Sequence, residues 1–87
     1  MKRRLLLDSD VVEVLDGLPT SVRNAIWRRF QEIAKFPDQF EDFQERDSTG
    51  RQLSGHVFGE FAILYWDDLA DRHVKVLEVL RADDLPD

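Results

Sequence analysis

Residues 59–81 read GEFAILYWDDLADRHVKVLEVLR, and the periodicity of this stretch decides the fold. Phe61, Ile63 and Tyr65 alternate with Ala62, Leu64 and Trp66, the period of two expected of a strand. The polar string DDLADR (67–72) is a connection of hairpin length. After it, Val74 and Val76 fall on one side of a second strand and Leu77 and Val79 on the other. Both faces of both strands are therefore apolar, so both faces require cover. Helices can cover one. The other is expected to meet a dimer mate, a partner peptide or a folded-back tail, or to be closed by the chain's own loops and termini.

Upstream, the period changes from two to that of a helix. Val11, Val12, Val14, Leu15 and Leu18 supply the apolar side of a short helix, with Asp8 or Ser9 placed to cap its start and Gly17 its end. A longer helix follows. Val22, Ile26, Phe30 and Ile33 form its buried stripe, Thr20 or Ser21 is placed to cap it, and Pro37 marks its limit. Arg23, Arg28, Arg29 and Lys35 lie largely off that stripe, a solvated face or a surface for an acidic partner segment. The string RRLLL (3–7) predicts a short first strand. Asp47 to Gly50, DSTG, predicts a turn between two strand-like segments. The expectation is a single α+β domain over residues 1–87. It has a short N-terminal strand, then a two-helix hairpin packed on one face of a three- to four-stranded antiparallel sheet.

Composition narrows the function. With 87 residues there is surface for one core. The chain has no cysteine, which removes disulfides and thiolate metal sites and fits a reducing cytoplasm. No signal-peptide pattern or membrane-spanning apolar run is present, so no membrane role is expected. A net charge of −6 argues against an autonomous nucleic-acid binder, whose affinity rests on neutralising phosphates.

The order of these elements, and four strings within them, resemble the RelE/ParE family of type II toxins. The strings are LDGLPTSVRNAIWRRFQEIAKFP, GRQLSG, GEFAILYWDD and HVKVLEVLRADD, and together they span nearly the whole chain. Arg51, Leu53, Gly59, Tyr65 and Arg81 match positions of the family's patterns. The resemblance implies a toxin that cuts messenger RNA on the ribosome or poisons a protein target, neutralised by an antitoxin. The chain departs from the family where Phe61 replaces a common Tyr and Ala62 a common Arg. No Lys precedes LSG, and no Tyr follows Arg81.

Metal-free RNA cleavage needs a base, cations for the phosphorane charge and an acid. Arg51 and Arg81 suit phosphate, His56 or His73 suits proton transfer, and Tyr65 suits orientation. Arg51, His56, Arg81 and Tyr65 are therefore the candidate catalytic residues, with no cofactor and no metal expected. The competing expectation makes both histidines solvent-facing and pairs the arginines with Asp47, Glu78 or Asp83. Asp67, Asp68 and Asp71 lack the spacing of a calcium loop and read as a turn. The alternative to a toxin is a non-catalytic interaction module or homodimer on the same fold. A small-molecule enzyme has least support in so short a chain.

Overall fold

The computed structural model describes residues 3–85. Its elements are β1 (Arg4–Leu7), α1 (Ser9–Asp16), α2 (Thr20–Lys35), β2 (Phe43–Arg46), β3 (Gln52–Phe58), β4 (Phe61–Asp68) and β5 (His73–Arg81), ending in a short 3₁₀ turn at Ala82–Asp84. The sheet has five strands in the order β1-β5-β4-β3-β2. β2 to β5 form an antiparallel meander, but β1 runs parallel to β5, with Leu5 opposite Val74 and Leu7 opposite Val76. This corrects the expected antiparallel sheet of three or four strands. The two helices and the meander separate β1 from β5 in sequence, and a connection that long permits parallel pairing.

Both helices pack on one face of the sheet. Val11 and Leu15 of α1 and Ile26, Phe30 and Ile33 of α2 meet Ile63, Tyr65, Val74, Val76 and Val79 in one core; a register shift in the β4–β5 pairing puts Val79 with Val74 and Val76, not on the opposite face as its spacing predicts. Among the described residues, no helix is long and apolar enough to cross a membrane. The helix ends follow simple chemistry. Asp8 caps α1, its carboxylate accepting from the Asp10 N–H at 3.2 Å. α2 starts without a side-chain cap, because Pro19 occupies the cap position instead of Thr20 or Ser21. Gly17 does end α1, but in a right-handed conformation (φ −84°), without a left-handed turn. Gly59 does use its freedom: at φ +60° it opens the two-residue turn joining Phe58 to Phe61.

The helix-free face is closed largely by the chain itself. Leu53, Ala62 and Leu64 are buried there without any partner. In register across β2, β3 and β4 stand Phe43, Gly55 and Leu64. The Phe43 ring lies where a side chain on residue 55 would otherwise stand: a Cβ added to Gly55 would come within 2.2 Å of it. An edge strand, not a terminus, supplies the aromatic cover. Leu6 and Val57 remain exposed at 38% and 43%.

Gly55→Ala is therefore expected to destabilise the fold by about 1–3 kcal/mol through overpacking. Urea denaturation measures this, and adding Phe43→Ala should recover part of the Gly55→Ala loss.

Candidate functional site

Strand alternation sorts the candidate residues onto opposite faces. Leu53, Gly55 and Val57 of β3 share the helix-free face, whereas Ser54, His56 and Phe58 face the helices beside Tyr65, Ile63 and Phe61. His56 is only 7% exposed. Its Nε2 lies 2.9 Å from Arg29 Nη1 of α2, and its Nδ1 lies 2.9 Å from an Asp42 carboxylate oxygen. A guanidinium has only donors, so Nε2 must accept, which leaves Nδ1–H to donate to Asp42. The tautomer is thus fixed by position.

The same cluster is bound by aromatic contacts. The Arg29 guanidinium sits 4.5 Å over the Phe58 ring and 5.0 Å over Phe40, while the His56 ring stacks on Phe58 and meets Phe40 edge-on. Asp42 also accepts from the Val57 N–H at 2.8 Å. The sequence offered a weak signal for this assembly. Arg29 lies three residues after Ile26 and four before Ile33, at the edge of the buried stripe, where its apolar stem can follow the core boundary.

Tyr65 is fully buried in the same layer, and its hydroxyl donates to the Pro37 carbonyl. Burial pushes this phenol well above its ordinary range, with the negative charge of Glu41 a further cause. Tyr65 therefore ties the end of α2 to the sheet.

Arg51 stands on the helix-free face at the start of β3. Its Cζ lies 4.4 Å over the Trp66 ring, and its Nε lies 3.0 Å from Asp47. Asp47 also accepts from the Thr49 hydroxyl and from the Thr49 and Arg51 N–H groups, holding the β2–β3 turn. The Thr49 hydroxyl bond leads in lowering the Asp47 carboxyl below its ordinary range. That contribution to stability is present above the unfolded value of 3.8 and is lost as pH falls through the lowered one.

Arg81 is exposed at the other end of the sheet, 3.6 Å from Glu60 and 5.8 Å over Phe61. Trp66 and Phe61 are five positions apart on β4, so Arg51 and Arg81 are separated by about 17 Å along the strand. The four candidates thus occupy three places: a buried helix-side pair, one end of the open face and the opposite sheet end. The pairing of Arg51 with Asp47 matches the competing expectation, but the solvent-facing histidines do not. His73 is also buried, 3.6 Å from Asp68 and edge-on to Trp66.

Asp68, Asp71 and His73 bring ligand atoms within 4.8 Å of one another. One Asp68 oxygen already accepts from the Ala70 and Asp71 N–H groups, a turn-holding role that accounts for the grouping. Asp67 pairs with Arg3 at 2.6 Å, and burial pushes its carboxyl up against the pull of that arginine.

His56→Phe is expected to destabilise the fold by about 1–3 kcal/mol, because it removes a partner from both Arg29 and Asp42. Arg51→Ala, breaking a partly exposed pair, should cost under about 1 kcal/mol. Denaturant titration of both variants checks the order.

No protein-family model matches the sequence, and no curated protein matches it. Solved structures do. A chain of the archaeal RelE–RelB complex from Pyrococcus horikoshii aligns with TM-score 0.78 at 17% identity, covering 98% of this chain and 100% of that one. A chain of the RelBE toxin–antitoxin complex from Mycobacterium tuberculosis aligns with TM-score 0.79 at 17% identity, covering 93% and 99%. The isolated E. coli RelE toxin aligns with TM-score 0.72 at 14% identity, covering 92% and 84%. The five-stranded sheet with two helices on one face is the RelE toxin fold.

Proposed function

We propose that this chain is the toxin component of a type II toxin–antitoxin module, acts in the cytoplasm and is neutralised by an antitoxin. We further propose that it acts by binding a target, not by cutting RNA. The antitoxin partner is supported by the fold, because two of the aligned structures are toxin–antitoxin complexes. The non-cleaving mode is supported by one observation. The proton-transfer candidate His56 and the orienting candidate Tyr65 are buried on the helix side, whereas the phosphate candidates Arg51 and Arg81 lie elsewhere. General acid–base chemistry needs its groups within hydrogen-bond reach of one reacting centre. The acidic total points the same way.

The surface best suited to a target is the helix-free face around Trp66, where Arg51 stacks on the indole and Lys75 stands beside it in register. A stacked Arg–Trp pair is an ordinary anchor for protein recognition. A homodimer through this face is the alternative, a binding module without toxicity.

Induced expression of the chain alone tests the proposal, with growth and messenger RNA integrity followed together. Growth should slow while transcripts stay intact, and co-expression of a cognate antitoxin should restore growth. Transcript cleavage that disappears with Arg51→Ala or Arg81→Ala would instead establish a ribonuclease. Normal growth with no co-purifying partner would overturn the toxin assignment.

A further inference from the structure

We propose that Asp68, Asp71 and His73 form a binding site for a divalent transition-metal ion of the zinc class, which closes the β4–β5 hairpin beside Trp66. Asp68 ends β4 and His73 begins β5. The two stand opposite each other in register, so their side chains share one face of the sheet. Asp71 comes from the turn between them. One donor atom from each of the three lies within 4.8 Å of the other two, and Asp68 Oδ2 is 3.6 Å from His73 Nε2. Ligands bonded at about 2.0–2.2 Å around a tetrahedral ion stand roughly 3.3–3.6 Å from one another. The Asp68–His73 pair is therefore already spaced to hold an ion.

The turn explains why the two carboxylates stand together, but it does not explain the imidazole. Asp68 Oδ1 accepts from the Ala70 and Asp71 N–H groups at 3.1 and 3.2 Å. Those bonds also fix the direction of Oδ2, as outer hydrogen bonds orient a metal-binding carboxylate. His73 is 9% exposed, and its Nδ1 is buried without a hydrogen-bond partner among the described residues. Its Nε2 stops outside hydrogen-bond reach of Asp68, at 3.6 Å. A buried polar ring in that condition is costly, and a bound ion is one of the few things that accounts for it. The neutral ring keeps an uncommitted lone pair, and Nε2 faces the carboxylates.

The donor set chooses the ion. One imidazole and two carboxylates suit Zn²⁺ and its neighbours, whereas Mg²⁺ and Ca²⁺ take oxygen ligands. Asp67 is engaged by Arg3, and water completes the coordination. The Trp66 ring stands edge-on to His73 at 6.1 Å and walls one side of the site. Arg51 lies over the same indole, so the ion would sit at that end of the helix-free face. The proposal does not depend on the chain arresting growth.

The test is a titration of the EDTA-dialysed, ¹⁵N-labelled full chain with Zn²⁺ alone, followed through the histidine rings, the indoles and the backbone amides. The His73 ring and the Trp66 indole should shift and saturate at one ion per chain, below millimolar Zn²⁺. The His56 ring, held by Arg29 and Asp42, should stay where it is. Mg²⁺ at the same concentrations should move neither histidine. His73→Gln and Asp71→Asn should each weaken Zn²⁺ binding at least about tenfold, since outer partners of a ligand alone are worth about 10–100-fold. Asp71 is exposed, so Asp71→Asn keeps the test decisive even where His73→Gln disturbs the fold. No saturation below millimolar Zn²⁺, shifts centred on His56, an equal response to Mg²⁺, or binding undiminished by Asp71→Asn would each overturn the proposal.

Discussion

β4 is apolar on both faces over Phe61 to Trp66, and much of the molecule is arranged to keep those faces out of water. Strand alternation assigns the side chains, except that a register shift opposite Leu64 and Tyr65 brings Val79 onto the same face as Val76. Ile63, Tyr65, Val74, Val76 and Val79 go to the helices, and Ala62 and Leu64 go to the other side. Eight residues of α1 and sixteen of α2 suffice for the first face. On the second face, Phe43 reaches across Gly55 from the edge strand. Each covering device consumes residues that a reading of types alone would assign to chemistry.

That consumption decides what remains for function. Tyr65 is committed because its position falls on the helix side, and its hydroxyl holds the Pro37 carbonyl. His56 is committed for the same reason. It bridges a helix arginine and the carboxylate of Asp42, which also fixes the approach to β2. A buried polar group that has its partners rigidifies a fold, whereas one that loses a partner is costly. The surfaces left open are the Trp66–Arg51 end of the helix-free face and the outer edge of β1. They lie on different parts of the sheet.

Much of this architecture was legible in the sequence. The helical stripe of Val22, Ile26, Phe30 and Ile33, the strand period of 61–66 and the Asp47–Gly50 turn each depend on local spacing, which the chain displays directly. The parallel docking of β1 was not legible, because four residues carry no signal of direction. The helix starts misled in a small way. Thr20 and Ser21 are good capping residues, but Pro19 takes the cap position itself. The candidate site was the least legible part. Convergence of Arg51, His56, Arg81 and Tyr65 depends on register and face, and one position of alternation separates His56 from the face that Arg51 occupies. Nothing in the local string around His56 announces Arg29, 27 residues earlier, as its partner.

The assignment of His56 to structure is the pivot of this account, and the imidazole nitrogens report it directly. Long-range ¹H–¹⁵N correlation of the histidine rings at neutral pH should show His56 as a single tautomer, protonated at Nδ1 with Nε2 accepting from Arg29. The Arg29→Met variant should shift the Nε2 resonance, which loses its donor, while Asp42 keeps the proton on Nδ1. A His56 ring that averages freely between tautomers in the intact protein, unaffected by Arg29→Met, would contradict the account. It would return His56 to the set of residues available for catalysis.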